Sequence, residues 1–185
     1  MKVIIVHSSP NPDGLTAACA AASQEGISRA GHEAQILMLN RMNIGLCQAC
    51  NDGWGTCRTL HTCQVEDGFQ TLHRQTLQAD ALVMVTPVYW GEMSESAKAF
   101  TDRLRRCEAT LGKESRMAGK PILFVAAAGG SGNGTVTCLL NLERWAQHIQ
   151  ARVFDLITVN RWSRDYKLQT IQAASHALVA RGFPD

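Results

Sequence analysis

The chain has 185 residues and a mass of 20.2 kDa, enough for one compact domain (1–185) with a sizeable core. Apolar residues make up 45% of it and charged residues 18%, which excludes a disordered chain, and a net charge of +2 gives no electrostatic case for binding nucleic acid or a membrane surface. No apolar run reaches membrane-span length and Met1 leads straight into a strand pattern, so no leader is expected and the expected location is cytoplasmic; seven cysteines then read as thiols or metal ligands rather than disulfides.

A short β-branched run (Val3, Ile4, Ile5, Val6) opens the chain and ends in the polar, turn-rich stretch Ser8 to Gly14. Leu15 and Thr16 begin a helical pattern over 15–30, with Leu15, Ala18, Cys19, Ala22 and Ile27 on one face and Gly31 as its stop. Residues 34–39 read as a second strand. From 40 to 64 the periodicity breaks into a long segment that holds four of the cysteines, and loops of this length in a compact domain are usually functional. A helix is predicted over 66–77 with Phe69, Leu72 and Thr76 inward, then a third strand over 80–86 ended by Pro87. The next helix, 94–106, carries the stripe Met93, Ala97, Phe100 and Leu104, with Lys98, Asp102, Arg103, Arg105 and Arg106 on its solvated side. A fourth strand (122–128), a glycine-rich turn (129–134), a helix (135–150), a fifth strand (152–159) and a last helix (165–181) complete the pattern. The inner face of the last helix is Leu168, Ile171, Leu178 and Val179.

Strands alternating with helices imply an α/β fold with a parallel sheet covered on both faces, and in such sheets ligands sit at the carboxyl ends of the strands. Three loops leave those ends with distinctive chemistry. The first, at 8–16, offers Ser8, Ser9, Asn11 and Thr16 together with the free amides of a helix start, and it holds no Lys or Arg. That favours a small phosphomonoester over a metal-bound triphosphate; helix capping by the same hydroxyls is the plain alternative. The second, Pro87-Val88-Tyr89-Trp90-Gly91, sets two aromatics where they can stack on a planar ring, or else pack in the core or at a subunit interface. In the third, Ala128 to Thr135, Gly129, Gly130, Gly132 and Gly134 permit close backbone approach. Gly129 and Gly134 have P-loop spacing, but Thr135 stands where the lysine is needed, and the dinucleotide fingerprint fails as well. A metal-free phosphate cradle, an aromatic loop and a glycine loop together suit a mononucleotide with a flat ring, and FMN fits all three. No GxSxG elbow is present to support a hydrolase.

The stretches SSPNPDGLT, TCQVEDGF, QADALVMVTPVYWGEMSESAKAFTDR and AAAGGSG, in that order, resemble the NADPH-dependent FMN reductase and iron–sulfur flavoprotein branch of the flavodoxin-like superfamily. The resemblance implies a three-layer sandwich with a five-stranded parallel sheet in the order 2-1-3-4-5. Against the family's phosphate loop, G-S-P-R-x-x-G-N-T, Ser9, Pro10, Gly14 and Thr16 match. His7 or Ser8 replaces the leading glycine, Asn11 the arginine and Leu15 the usual polar residue, so a positive charge near the phosphate is lost. Pro87 to Gly91 match the ring-binding loop, and Ala128, Gly129, Gly130 and Gly132 would line the ring's other edge. The implied activity is electron transfer from NAD(P)H through FMN to a quinone, another flavin, a metal ion or a redox protein, with no acid–base residues required because the chemistry is the flavin's. A homodimer or homotetramer is implied as well. A non-catalytic flavin-binding sensor is the alternative of another class.

Cys47, Cys50, Cys57 and Cys63 follow the pattern C-x2-C-x6-C-x5-C and could hold zinc or an iron–sulfur cluster. Relatives with a [4Fe–4S] cluster use a tighter spacing, and Gly53 stands where many have the third cysteine. The departure favours free thiols near the flavin. A cluster on all four, making the protein an electron carrier, and a redox-active Cys47–Cys50 pair are the other readings. Cys19, Cys107 and Cys138 fall on helical patterns and read as packing residues, His61 as a solvated loop residue, and His7 as either packing or phosphate contact.

Overall fold

The structure is a computed structural model that describes residues 1–180, so the predicted end of the last helix at Arg181 lies outside the described residues. In chain order the elements are β1 (Lys2–His7), α1 (Leu15–Arg29), β2 (Glu33–Met38), α2 (Thr56–Thr59), α3 (Phe69–Gln78), β3 (Ala81–Tyr89), β4 (Glu92–Met93), α4 (Glu95–Glu108), β5 (Pro121–Ala128), α5 (Thr135–His148), β6 (Arg152–Asn160) and α6 (Arg164–Ala180). The sheet runs β2-β1-β3-β5-β6 and all its neighbours are parallel. With the two-residue β4 set aside, this is the expected order 2-1-3-4-5 of a flavodoxin-like three-layer sandwich. Successive strand residues face opposite ways, so Ile4 and Val6 join Leu82, Met84 and Phe124 under α3, α4 and α5. Val3 and Ile5 join Val83, Val125 and Ile157 under α1 and α6.

The third strand does not stop at Thr86. It continues through Pro87 to Tyr89 and turns back into β4, pairing Val88 with Met93 and Tyr89 with Glu92. The reason lies in the ladder. The Val85 carbonyl accepts from the Ser8 amide at 3.1 Å, so Val85 faces β1. Two residues on, Pro87 directs its missing donor to that same side, where β1 has already ended at His7.

The third helix starts at Phe69 rather than residue 66 because Asp67 is engaged elsewhere. One carboxylate oxygen accepts from the Phe69 amide at 2.9 Å; the other binds Arg103 at 2.6 Å and the Gly45 amide at 2.9 Å. At the far end of α3 the buried Lys120 ammonium donates to the carbonyls of Thr76 (2.8 Å), Leu77 (3.0 Å) and Ala79, which satisfies the orphan acceptors of the last turn. Cys19, Cys107 and Cys138 are fully buried in the two cores, as expected of packing residues.

On the other face α1 and α6 meet at Gly26. A Cβ there would stand 2.1 Å from the Gln172 carbonyl oxygen, which is backbone and has nowhere to move. Gly26→Ala would ordinarily gain helix propensity, but here the overpacking dominates. The expected outcome is a net loss of about 1–3 kcal/mol, seen as a lower urea midpoint with an unchanged slope.

Candidate functional site

The loop after β1 is built inward before it is built outward. Ser8 is fully buried; its amide and hydroxyl both reach the Val85 carbonyl, at 3.1 and 3.3 Å. It is therefore not the free donor that its position in the loop predicts. Its own carbonyl accepts the hydroxyls of Ser94 (2.9 Å) and Ser96 (3.1 Å), and Ser96 also reaches Asn40 Oδ1 at 3.2 Å. Ser9 Oγ accepts from the Asn11 amide and Asn11 Oδ1 from the Asp13 amide, both at 3.2 Å, which shapes the turn into Gly14.

Gly14 occupies the N-cap position of α1 in an extended conformation, and no side chain caps the helix. Plain capping by Ser or Thr is thereby set aside. The first helical hydrogen bond is Ala18 N–H to Gly14 O at 3.0 Å, so the amides of Leu15, Thr16 and Ala17 have no partner within the helix. Those donors and the helix dipole make a cradle for an anion without any cationic side chain. His7, at the mouth of this loop, is buried with neither ring nitrogen paired among the described residues, and burial pushes its pKa below the ordinary histidine value.

Trp90 and Gly91 form the two-residue turn between β3 and β4, with φ of +54° and +84°. A two-residue hairpin with both φ positive suits glycine and strains tryptophan. The turn leaves the Trp90 indole fully in solvent, and Tyr89 beside it is 41% exposed, so neither packs in the core. Pro87 is buried within the sheet and Val88 half-buried behind the hairpin.

The glycine loop completes the site. A Cβ at Gly134 would stand 2.6 Å from Gly91 Cα, so the aromatic hairpin and the glycine loop touch backbone to backbone. Gly129 and Gly130 face open space, whereas Ala128 is buried as the last residue of β5 and offers only its backbone. Gly132, at φ +80°, packs on Asn160 from the end of β6. The structure thus brings the three predicted loops together. It adds Ser94, Ser96 and Asn160, which sequence reasoning left out; Ser94 was visible only as the start of a helix.

The cysteine segment is anchored by a residue expected in solvent. Arg103 is 1% exposed. Its Nη1 donates to Asp67 (2.6 Å) and the Gly45 carbonyl (3.1 Å), its Nη2 to the Val65 carbonyl (2.9 Å) and Cys63 Sγ (3.3 Å), and its guanidinium lies 4.3 Å over Phe69. Burial alone would raise the Asp67 carboxyl, but the Arg103 guanidinium and the amides of Gly45 and Phe69 outweigh it and hold the group below the usual carboxylate range. Arg106 donates to the Gly53 carbonyl at 2.6 Å and stacks 4.5 Å over Trp54. His61 is fixed rather than solvated: its Nδ1 donates to the Cys107 carbonyl at 3.1 Å.

Cys47, Cys50, Cys57 and Cys63 all line one small pocket, with Gly53, Arg103 and Arg106 among its other walls. Among the described residues, no three or more His, Cys, Asp or Glu side chains converge closely enough to hold a metal ion. As arranged, the four thiols do not form a cluster's ligand set, and two guanidiniums share their pocket.

The family profile described as NADPH-dependent FMN reductase matches residues 1–161. The chain belongs to this family. It is 27% identical over 134 residues to an iron–sulfur flavoprotein of Methanocaldococcus jannaschii, covering 72% of this chain and 65% of that protein. To an iron–sulfur flavoprotein of Archaeoglobus fulgidus it is 30% identical over 105 residues, covering 57% and 49%. The match thus spans less than two thirds of either relative. Among solved structures, an NAD(P)H:quinone oxidoreductase from Methanothermobacter marburgensis superimposes with a TM-score of 0.74 at 17% identity, covering 100% of this chain and 99% of that one. A protein titled flavone reductase gives 0.74 at 16% identity, covering 96% and 62%. These likenesses establish the flavodoxin-like fold. No helix among the described residues is long and apolar enough to cross a membrane.

Removing the anchor isolates its contribution. Arg103→Leu leaves the half-buried Asp67 carboxylate without its cation and the Gly45 and Val65 carbonyls without their donor; it should cost about 1–3 kcal/mol, read from urea unfolding, while alkylation of Cys63 becomes faster. In the unsubstituted protein the stability carried by ionised Asp67 is fully present above about pH 4, the unfolded-chain value. It is lost as pH falls through the lower folded value. Asp67→Asn should flatten that acid limb of the stability curve.

Proposed function

We propose that this protein is an FMN-binding, NAD(P)H-dependent oxidoreductase of the flavin and quinone reductase type, organised as a single flavodoxin-like domain (1–185) with a cysteine-rich loop at 40–64. One observation carries the reading. The uncapped start of α1, the exposed Tyr89–Trp90 hairpin and the open glycine loop meet at one edge of the sheet. The residues present fit the group: partnerless amides suit a phosphate, and exposed rings beside side-chain-free backbone suit a flat heterocycle. Ser9, Asn11, Gly14, Leu15 and Thr16 would hold the phosphate, Pro87 to Gly91 one side of the ring system, and the backbone from Ala128 through Gly129 and Gly130 to Gly132 its other edge. When bound, FMN supplies hydride and single-electron chemistry at its ring.

The chain's own contribution is position and access. Loss of the family's loop arginine at Asn11 leaves phosphate binding to the α1 amides and neutral side chains, since His7 is neutral near pH 7. Trp90 and Tyr89 stand in solvent, where a second flat substrate reaches them. The electron acceptor in this reading is a quinone, another flavin, a metal ion or a redox protein. A cytoplasmic homodimer or homotetramer belongs to the same proposal; Val136 and Leu140, more than half exposed one turn apart on α5, support an interface near the site.

A second reading, an electron carrier with a [4Fe–4S] cluster on Cys47, Cys50, Cys57 and Cys63, is favoured by the shared pocket of these residues and by the names of the curated relatives. Their present arrangement disfavours it, and no step is derived through a cluster.

An anaerobic absorption spectrum with added FMN, joined to iron and sulfide analysis, separates these readings. Flavin bands that shift on binding without iron, with NADPH oxidation, are expected; stoichiometric iron and sulfide would transfer the protein to the second reading, and no flavin retention would end both. Gly134→Val, which drives a side chain into Gly91, should weaken FMN binding by about tenfold or more, the scale of the ~1–3 kcal/mol overpacking cost.

A further inference from the structure

A fourth loop leaves the carboxyl edge of the sheet, and the proposed flavin site makes no use of its exposed side chains. Between β6 and α6 the chain turns through Arg161, Trp162 and Ser163. Asn160 Oδ1 accepts from the amides of Trp162 (3.0 Å) and Ser163 (2.9 Å), and Ser163 Oγ accepts from the Asn160 amide at 3.0 Å. The Ser163 carbonyl then takes the Lys167 amide at 3.0 Å as α6 begins. A turn pinned at both ends holds its side chains in place. Here it holds them in solvent: Trp162 is 64% and Tyr166 60% exposed. The Arg161 guanidinium lies 4.3 Å over the Trp162 ring.

The turn adjoins the candidate site. A Cβ at Gly132 would meet Asn160 Nδ2 at 2.8 Å, while a Cβ at Gly134 would meet Gly91 Cα at 2.6 Å. The glycine loop therefore runs between two segments that each carry an exposed indole, the hairpin with Trp90 on one side and the turn with Trp162 on the other, with open space at Gly129 and Gly130. Over 161–167 three cations, Arg161, Arg164 and Lys167, face one carboxylate, Asp165, in a chain otherwise near neutral. The family match ends at Arg161, so Trp162, Arg164 and Tyr166 are not part of the pattern that match covers. An exposed indole with a stacked guanidinium, beside a site for reducing equivalents, has the chemistry for a purine carrying phosphate: the ring stacks, and the planar cation pairs with the phosphate oxygens.

We propose that Arg161 and Trp162 form the seat for the adenosine 2′-phosphate end of NADPH, with Trp162 stacking on the purine and Arg161 reading the 2′-phosphate. The proposal rests on the oxidoreductase reading and names the residues that select the dinucleotide. The chain lacks the GxGxxG fingerprint at its glycine turn, so this end of the co-substrate is held by a surface turn rather than by a Rossmann crossover.

The test uses 2′,5′-ADP and 5′-AMP as probes, titrated into the full chain by calorimetry and tryptophan fluorescence, which requires no flavin. The unsubstituted protein should bind 2′,5′-ADP more tightly than 5′-AMP. Trp162→Ala should weaken both by about tenfold, the scale of one base–aromatic stack, and Arg161→Gln should erase the preference for the 2′-phosphate. Both side chains are exposed, so the melting temperature should hold. In steady state the KM for NADPH should rise by about tenfold in Trp162→Ala while the absorption of bound flavin stays unmoved. Unchanged affinities in both variants of a protein that oxidises NADPH would overturn the seat and leave the oxidoreductase reading intact. A shift in flavin binding, or in oligomeric state, with nucleotide affinity unchanged would overturn it too, assigning Trp162 to the flavin or to a partner copy. A protein that binds 2′,5′-ADP through Trp162 yet oxidises no NADPH would overturn the oxidoreductase reading and keep the seat.

Discussion

The backbones at Gly91 and Gly134 pass so close that a single methyl group on Gly134, 2.6 Å from Gly91 Cα, would force them apart. That approach ties the aromatic hairpin to the glycine loop, and other contacts extend from it. Asn160 packs against Gly132 on one flank, and the Ser8 carbonyl takes the Ser94 and Ser96 hydroxyls on the other. Segments far apart in the chain thus become one surface at the carboxyl edge of the sheet. Parallel topology alone would put loops at this edge; the glycine contact decides that two of them share a site rather than stand side by side.

Arg103 plays the corresponding part for the long segment between β2 and α3. A guanidinium in the core is stabilising only when its donors are filled, and Asp67, Gly45, Val65 and Cys63 fill four of those positions. Every partner lies in the segment between β2 and α3, which holds little regular structure beyond the one-turn α2. The charge is expensive to bury and holds one geometry, and so an otherwise loop-like stretch lies ordered against α4. This anchor holds Cys63 directly, and Arg103 shares the walls of the pocket that all four cysteines line.

Much of the fold was legible before any coordinate. Strand and helix order followed from periodicity, and the strand order from the family resemblance, since alternation alone permits several parallel sheets. The misses have local causes. Pro87 read as a stop because its position relative to the end of β1 is invisible in one dimension. Arg103 read as surface because a helical wheel ranks arginine by type and does not see Asp67, 36 residues away in the chain. Ser8 read as a phosphate donor, yet its hydroxyl turns to Val85 on the neighbouring strand. The turn at Arg161 and Trp162 carries no motif in one dimension, because its meaning lies in what it adjoins.

The amino-acid sequence by itself determined the class of fold, the apolar faces of the helices and the three loops with ligand-binding chemistry, because hydrophobic period and turn residues act over a few neighbouring positions. Tertiary structure decided which of those groups are free. It left the α1 amides without a cap, committed Ser8 and Arg103 to buried partners, and set Trp90 and Trp162 in solvent on the two segments that flank the glycine loop. Whether a polar group is spent or available depends on partners many residues distant, and only the folded chain brings them within a hydrogen bond's reach.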